Sequence, residues 1–336
     1  MFFFFTAVAA FSALAGRGRL YVGGYPCARL ARALFPERGE PLVLEDGGFF
    51  GRLYDRSTRD DVLVFGMHGP NSRALRRFRG RVLLVNGEPD IDAAAFTGSK
   101  KTFYLGPTGA ESAHHMQFYY ASVAAFRAGA AFLDEAASRS GTRPPRFLSY
   151  ISSNCKGHRD RAFDDIIAAA RAWSPGPGPG PGLGVRAAAG GRCHGSHPEL
   201  KETLGGDGIG AWEHNRELSG FRFALTMDSR KSTGYVTEKI VNGFLSGAIP
   251  IYWGTEEVFR LFNRDAFVYY DVDNPRPALD QIRRLETNAT AYAEMKARPM
   301  LADGALEAFF SLSDDIGGGR LKQRIRDMVY SRGRVE

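Results

Sequence analysis

Strand-like and helical patterns alternate along the second half of this 336-residue chain. Apolar strand-like runs occupy residues 147–151, 221–227, 248–253 and 266–270. Helical patterns occupy residues 161–173, 236–245, 256–262 and 277–285. Because the strands are apolar throughout and helices separate them, this alternation predicts a parallel sheet covered on both faces. Sheets of this kind bind ligands beyond the carboxyl ends of their strands.

The chain is long enough to form two domains, each with its own core. The first half contains weaker strand-like runs at residues 61–66 and 81–86. Near Arg143, two prolines precede the first strong strand, and we place the domain boundary there. We therefore expect an α/β domain over residues 16–143 and a second one over residues 144–336.

Two further segments carry compositional signals. Residues 1–15 contain no charged side chain, are rich in phenylalanine and end in a small-x-small triplet, which is typical of a signal peptide or a signal-anchor remnant. We therefore expect the Golgi or secretory-pathway lumen, with the N-terminus cleaved or membrane-anchored; a glycosylation sequon at Asn288 agrees with this. The alternating Pro/Gly run at residues 174–183 forms neither helix nor strand ladder, so it is interpreted as a loop insertion.

The net charge indicates which ligands the chain could bind, and the cysteine spacing indicates whether it could bind zinc. Lys and Arg outnumber Asp and Glu by 44 to 37, a net charge of +7. This excess suits a phosphate-bearing ligand or an anionic surface, or it reflects an Arg-rich composition with no specific partner. No basic run of five occurs, and nucleic acid is not expected as a partner. Cys27, Cys155 and Cys193 form no C-x-x-C pair, so a zinc knuckle is not expected; spacing alone favours buried free thiols over a Cys155–Cys193 disulfide.

A polar turn after residues 221–227 leads into the next helical pattern and brings three polar side chains to its first turn. Exposed N–H groups at a helix start favour an anion. There Lys239 adds a point charge for a pyrophosphate, Glu238 offers acceptors for ribose hydroxyls, and Tyr235 offers stacking or a phenol donor. The alternative is an ordinary helix cap at Thr237, with solvated charges around it.

Several motifs in this region occur together and in order. They are G-Y-V-T-E-K-I at 234–240, G-A-I-P-I-Y-W-G at 247–254, S-N-C at 153–155 and G-x-C at 191–193. Together they resemble the donor-site signature of the α1,3/4-fucosyltransferases, glycosyltransferase family 10, and the bacterial α1,3-fucosyltransferases look closest. The resemblance extends from about residue 147 to residue 301. A fainter match in the first half ends at Gly87-Glu88.

The resemblance implies a fold and a reaction. Members of this family have the GT-B arrangement, two Rossmann-like domains facing a cleft, and bind GDP-β-L-fucose in the C-terminal domain. The implied reaction is inverting transfer of L-fucose to a glycan hydroxyl, with an α1,3 linkage to GlcNAc expected, as part of protein glycosylation. The implied partners are GDP-fucose and a glycan or glycoprotein acceptor. No cofactor is required, and a divalent metal is not expected to be essential.

The resemblance also assigns roles by position. Glu88 is the implied catalytic base, which takes the proton of the acceptor hydroxyl, because a single inverting displacement needs one carboxylate opposite the leaving group. Fixed cations near the departing diphosphate stabilise the transition state more than the ground state. The implied donor-binding residues are Arg159 or Arg161, Asp228, Ser229, Tyr235, Glu238 and Lys239.

Alternative functions follow from two other features. The family usually has F-E-N where this chain has Met227-Asp228-Ser229, and Ser lacks an amide that contacts the donor. A non-catalytic glycan- or nucleotide-binding relative is therefore one alternative. The other is a metal-dependent glycosyltransferase that uses an Asp-x-Asp triplet, of which residues 90–92 and 271–273 are examples; in a chain this rich in Asp such triplets also arise by chance.

Overall fold

The structure is a computed structural model that describes residues 18–23, 27–44, 57–66, 77–89, 101–107, 111–129, 143–173, 186–203 and 220–330. Three segments discussed above lie outside these residues: the N-terminal run at 1–15, the Pro/Gly run at 174–183 and the Asp-x-Asp triplet at 90–92. Contacts group the chain into two compact units. The first is Met1–Ser122 with Glu307–Glu336, and the second is Val123–Leu306.

The strands belong to two sheets. The first sheet contains β1 (Leu20–Gly23), β2 (Leu42–Leu44), β3 (Val62–Gly66), β4 (Arg81–Val85), β5 (Thr102–Gly106) and β6 (His115–Gln117). The second sheet contains β7 (Arg146–Ser152), β8 (Ala188–Gly191), β9 (Phe221–Leu225), β10 (Ile249–Tyr252) and β11 (Val268–Tyr269). Every strand pairing in both sheets is parallel.

The helices connect and flank these strands. They are α1 (Cys27–Leu34), α2 (Tyr120–Ala128), α3 (Gly157–Trp173), α4 (Glu238–Leu245), α5 (Val258–Leu261), α6 (Arg276–Thr287), α7 (Ala289–Lys296) and α8 (Arg320–Tyr330). A π-helical turn covers Leu306–Phe310, and 3-10 turns cover Pro36–Arg38, Pro198–Leu200, Arg264–Ala266 and Gly317–Gly319. Among the described helices none is long and apolar enough to cross a membrane.

The two parallel sheets confirm the α/β fold class that the strand–helix alternation predicted. The first sheet has the order β2-β1-β3-β4-β5-β6, and the second has the order β11-β10-β9-β7-β8. Strands β3 and β9 are buried along their whole length, as expected for parallel strands that are covered on both faces.

The order of the second sheet contains a reversal of direction. Strand β8 lies on one side of β7, and β9 lies on the other side, so the connections that leave β7 and β9 diverge. At such a reversal a crevice opens outside the carboxyl ends of the two central strands, and ligands of open α/β sheets bind there. In this unit, residues that follow Ser152 and Leu225 occupy that position.

Helix α4 lies very close to the second sheet. A side chain at Gly243 in this helix would meet the Thr226 methyl group at 2.7 Å and the Pro250 ring at 3.2 Å. Only glycine permits this approach. At the other end of the helix, the N-cap residue Thr237 is hydrogen-bonded to Asp228, which follows β9.

The boundary between the units differs from the sequence-based boundary at Arg143. The second sheet does begin near there, at Arg146, but compact contacts divide the chain after Ser122. The C-terminal helix α8 also groups with the first unit, where it packs against α1. The prolines after Arg143 indicate where the second sheet starts, but no local sequence pattern indicates that a later helix packs on the earlier unit.

Arg326 on α8 joins the two ends of the first unit. Its guanidinium donates to the Leu34 carbonyl oxygen at the end of α1 (2.5 Å) and to Glu37 Oε2 (2.8 Å). The Tyr330 hydroxyl also donates to Glu37 Oε1 at 3.1 Å. One cationic side chain thus satisfies an unpaired carbonyl at a helix end and a half-buried carboxylate.

We predict that Arg326→Met destabilises the protein by about 1–3 kcal/mol, because it leaves a helix-end carbonyl and Glu37 without their charged donor. Urea unfolding at neutral pH, followed by circular dichroism, measures this. Arg324→Met on the same helix is the control, since Arg324 is exposed and its ion pair with Glu111 spans 3.5 Å; it should change stability by no more than about 0.5 kcal/mol. Equal effects of the two substitutions would contradict the prediction.

Candidate anion-binding site

Two helix starts and two strand ends meet in the second unit. Helix α3 begins at Gly157, five residues after β7 ends, and α4 begins at Glu238 after the loop that follows β9. The sequence predicted the α3 helix only from residue 161. Its first turn begins four residues earlier and carries His158 and Arg159.

Arg159 is the buried cation of this site. Its side chain is only 3% exposed, and Nη1 donates to the Asn154 carbonyl oxygen at 3.1 Å and to Ser152 Oγ at 3.4 Å. Its Nε and Nη2 atoms are buried and have no hydrogen-bond partner among the described residues. Buried charged donors without acceptors are costly, so their persistence here fits an anion that completes them. Arg161 lies two residues further on and is exposed.

A disulfide bond fixes the loop that precedes Arg159. Cys155 and Cys193 are bonded, with their Cα atoms 5.3 Å apart. The interpretation of these two residues as free thiols, which their spacing in the sequence favoured, is therefore wrong. Strands β7 and β8 are parallel neighbours, with Ser152 paired to Gly191, so the residues that follow each strand meet at the same sheet edge. Sequence separation gives no measure of that proximity.

Asp228 connects the separate segments of the site. Its side chain is fully buried, and its carboxylate accepts hydrogen bonds from the Tyr252 hydroxyl at 2.6 Å and from the Thr237 hydroxyl. Its backbone N–H donates to the Trp253 carbonyl oxygen at 2.9 Å. Burial raises the pKa of the Asp228 carboxyl to about 6, against the lowering effect of the Lys239 ammonium and the two hydroxyl donors.

Thr237 links Asp228 to the start of α4. It is the N-cap residue of this helix, and its hydroxyl oxygen accepts from the Lys239 backbone N–H at 3.4 Å. The same hydroxyl donates its proton to Asp228. The ordinary helix cap that the sequence allowed as an alternative is therefore present, and it forms part of the site.

Glu238 and Lys239 form a close ion pair at this helix start. Lys239 Nζ donates to Glu238 Oε1 at 2.8 Å, and the side chains are 32% and 12% exposed for Lys239 and Glu238. Burial raises the pKa of the Glu238 carboxyl, but the Lys239 ammonium and local hydrogen bonds outweigh it, so that the pKa lies below its usual value. Burial lowers the pKa of Lys239, but the carboxylates of Glu238 and Asp228 outweigh it and raise the pKa. Both groups are therefore charged at neutral pH.

The two cations of the site interact with each other. The Arg159 guanidinium lowers the pKa of Lys239, which places these charges within electrostatic range although they stand on different helices. Like charges held near each other repel unless an anion lies between them. Lys239 and Arg159, two of the cations that the resemblance implied, thus lie in one region, and Arg161 is exposed on the same helix as Arg159.

Tyr235 and Ser229 occupy the loop between β9 and α4. Their hydroxyl oxygens are 3.1 Å apart, and Tyr235 is only 4% exposed. Ser229 thus contacts the phenol at the position where the resemblance implied an amide. The sequence therefore placed Asp228, Ser229, Tyr235, Glu238 and Lys239 in one region, and the structure brings all of them together with Arg159.

Glu88 belongs to the first unit and follows strand β4. The Asn86 side chain holds the turn, since Oδ1 accepts from the Glu88 N–H at 2.9 Å and Nδ2 donates to the Glu88 carbonyl oxygen at 2.6 Å. A side chain at Gly87 would meet the Tyr120 ring at 2.6 Å, so this turn requires glycine. The backbone at Glu88 is consequently fixed, and its side chain is partly exposed.

The Asp271–Asp273 triplet forms a turn. The Asp273 N–H donates to Asp271 Oδ1 at 3.1 Å, and both side chains are exposed. Within the part of the chain that the structure describes, no group of three or more His, Cys, Asp or Glu side chains is placed to bind a metal ion. The triplet is therefore explained by local turn chemistry.

Two site residues were missed by the sequence. His158 lies in the first turn of α3, which periodicity could not detect, and Tyr252 looked like an ordinary apolar strand residue. Tyr252 points its hydroxyl at Asp228, whereas His158 contacts the backbone of Asp228. The position of Tyr252 at the end of an apolar strand could have indicated its role, because a buried phenol usually has a hydrogen-bond partner.

Fold and site together define a class of protein. Two parallel α/β units, one of which gathers two cations and a helix start at the reversal point of its sheet, are typical of proteins that bind phosphate-bearing ligands. Residues 191–296 match the family model for the glycosyltransferase family 10 (fucosyltransferase) C-terminal domain. This match confirms the resemblance that the motifs indicated.

Curated relatives match a shorter stretch of the chain. The chain is 39% identical over 97 residues to an α-(1,3)-fucosyltransferase FucT of Helicobacter pylori, a match that covers 29% of this chain and 20% of that protein. It is 31% identical over 83 residues to a putative fucosyltransferase of Acanthamoeba polyphaga mimivirus, covering 24% of this chain and 14% of that protein. The match thus spans a fifth or less of the length of these two relatives.

Solved structures match over nearly the whole chain. A crystal structure of an α1,3-fucosyltransferase superposes with a TM-score of 0.58 at 18% identity, covering 93% of this chain and 90% of that chain. A structure of an α1,3-fucosyltransferase with GDP-fucose gives a TM-score of 0.57 at 18% identity and covers 94% of this chain and 91% of that chain. At this identity the likeness establishes the fold.

We predict that Asp228→Asn gains stability relative to the unsubstituted protein as the pH rises from about 4 to 6. The folded carboxyl has its pKa at about 6 and the unfolded one near 3.8, so the folded state holds the proton more tightly and the unsubstituted protein loses stability across this window. The difference should shift towards the variant by about 1.4 kcal/mol for each pH unit. Urea unfolding of the ligand-free proteins between pH 4 and 7 measures it, and a difference that stays constant would contradict the assignment.

Proposed function

We propose that this protein is an inverting fucosyltransferase that moves L-fucose from GDP-β-L-fucose to a glycan hydroxyl. The observation that carries the proposal is the buried Arg159 guanidinium in electrostatic range of Lys239. Its Nε and Nη2 atoms have no hydrogen-bond partner among the described residues. The match of residues 191–296 to the fucosyltransferase family model supports fucose as the transferred sugar.

The two cations serve the departing diphosphate in this proposal. As the bond to the anomeric carbon breaks, negative charge builds up on the phosphate oxygens, and fixed donors stabilise that charge without reorganisation. Lys239 lies at the N-terminus of α4, whose dipole adds to the same field. The neighbouring Glu238 carboxylate is ionised, and its Oε1 pairs with Lys239. As a carboxylate it can also accept hydrogen bonds from ribose hydroxyls.

Glu88 is the proposed catalytic base. It takes the proton from the acceptor hydroxyl while that oxygen attacks the anomeric carbon from the side opposite the diphosphate, which inverts the configuration. The leaving group is a stabilised diphosphate, so no general acid is needed. The fixed turn at Asn86 and Gly87 supports this role, because a base must be held at a constant position.

We further propose a GlcNAc-containing glycan as the acceptor, an α1,3 linkage, and a place in protein glycosylation within the Golgi or secretory-pathway lumen. The Cys155–Cys193 disulfide supports an oxidising compartment. Asn288 of the glycosylation sequon is exposed, and its Oδ1 accepts a hydrogen bond from the Ala291 N–H at 3.0 Å. Anchoring through the N-terminal segment belongs to the same proposal.

We predict that Lys239→Met and Arg159→Met each weaken GDP binding by about 10- to 100-fold, because a charge-assisted hydrogen bond contributes about 1.5–3 kcal/mol. Titration calorimetry with GDP measures this. Arg171→Met is the matched control: Arg171 stands in the last turn of α3, is 52% exposed and pairs with Glu199, so GDP affinity should be retained. Absence of GDP binding by the unsubstituted protein would overturn the proposed function.

We predict that Glu88→Gln lowers kcat for fucose transfer by about 100- to 10,000-fold and leaves GDP affinity unchanged, because it removes a proton acceptor and no donor contact. Transfer of labelled fucose from GDP-fucose to a panel of GlcNAc-containing glycans measures kcat. Glu111→Gln, an exposed glutamate in the same unit, is the control. Full activity of the Glu88 variant would refute the base assignment, and complete loss of transfer in EDTA would favour a metal-dependent glycosyltransferase.

A further inference from the structure

His158 contacts the strand-end region of the site without belonging to any donor-binding motif. It lies in the first turn of α3, directly before Arg159, and its Nε2 atom is 3.0 Å from the Asp228 carbonyl oxygen. A carbonyl oxygen only accepts hydrogen bonds, so Nε2 carries the proton. The imidazole ring also packs on the Trp253 indole, with ring centroids 4.2 Å apart and planes inclined by 44°.

These two contacts involve two residues, Asp228 and Trp253, that are joined by a backbone hydrogen bond. The Asp228 N–H donates to the Trp253 carbonyl oxygen at 2.9 Å, which joins the segments that follow β9 and β10. His158 holds Asp228 through its carbonyl group and Trp253 through its ring. The start of α3 and the ends of β9 and β10 are therefore fixed to one another by one side chain.

The connection continues to the second cation. The Asp228 carboxylate accepts from the Thr237 hydroxyl, and Thr237 caps α4 by accepting from the Lys239 N–H. A continuous series of contacts thus runs from His158 to Lys239. The side chain next to Arg159 on α3 is connected to the helix turn that carries Lys239.

The chemistry of the position favours a neutral hydrogen-bond donor over a cationic one. Burial lowers the pKa of His158, the hydrogen bond to the Asp228 carbonyl oxygen partly offsets this, and the charges of Arg159, Arg161 and Lys156 lower it further. The ring is therefore neutral at pH 7, and it donates one hydrogen bond without adding another positive charge to this cluster. A lysine or arginine would repel the cations around it.

We propose that His158 is a positioning residue that sets the separation of Arg159 and Lys239 by tying the first turn of α3 to the Asp228 turn and, through Thr237, to α4. The proposal rests on the proposed function of the site, in which both cations receive one diphosphate. A diphosphate has a fixed span between its phosphate oxygens, so two cations on separate helices bind it well only at a constant separation.

The experiment compares His158→Phe with His158→Gln. Phenylalanine keeps the ring on Trp253 but removes the donor, whereas the glutamine amide reaches the place of Nε2 and keeps it. We expect His158→Phe to weaken GDP binding by about tenfold and His158→Gln to stay within about twofold of the unsubstituted protein. Titration calorimetry with GDP gives both values. His197→Phe is the matched control, because His197 also contacts α3, through Asp164 and Phe163, but does not contact Asp228.

Amide hydrogen exchange in the ligand-free proteins tests the positioning role of His158 independently of GDP binding. His158→Phe should speed exchange over residues 228–240, and His158→Gln and His197→Phe should not. If the unsubstituted protein does not bind GDP, the proposed function fails, and the exchange data still decide whether His158 holds the Asp228 turn. The positioning role is overturned if His158→Phe matches the unsubstituted protein in exchange and affinity, or if His158→Gln loses as much affinity as His158→Phe.

Discussion

The buried carboxylate of Asp228 is the constraint on which the site in the second unit depends. A carboxylate removed from water is stable only if its oxygens are hydrogen-bonded, and the Tyr252 and Thr237 hydroxyls supply those bonds from two different elements. The end of β10 and the start of α4 therefore take their positions from one charged group. Its raised pKa shows that the compensation is incomplete, so that part of the desolvation cost remains in the folded state.

The cations near Asp228 are less well compensated than its carboxylate. Arg159 is almost fully buried and lies in electrostatic range of Lys239, and its Nε and Nη2 atoms have no hydrogen-bond partner among the described residues. Packing, the neighbouring disulfide and the His158 contact hold this arrangement together despite the repulsion. Proteins tolerate locally unfavourable interactions, such as unpaired buried donors and like-charge repulsion, mainly at functional sites, where the rest of the fold compensates for their free-energy cost. In the proposed function, the diphosphate supplies the missing acceptors and offsets the like-charge repulsion.

The sequence predicted the central architecture because the strands of the second sheet are continuous apolar runs between amphipathic helices. It placed Tyr235, Glu238 and Lys239 in one region because they lie within five residues of one another around a helix start, where local chemistry suffices. It could not show that Arg159 is buried and Arg161 exposed, since burial depends on neighbours distant in sequence. The Cys155–Cys193 bond and the return of α8 to the first unit were also invisible, because each depends on which strands or helices become neighbours. His158 was missed because the first turn of α3 has no apolar stripe.

The return of α8 gives the two units different folding requirements. The second unit is one uninterrupted stretch, Val123–Leu306, so all of its contacts are available once that stretch has left the ribosome. The first unit needs Arg326 against the end of α1, a contact between residues that are 292 positions apart. Closing so long a loop is entropically costly and slow. During synthesis, the contacts of the first unit that involve α8 can therefore form only after all of the second unit has been made.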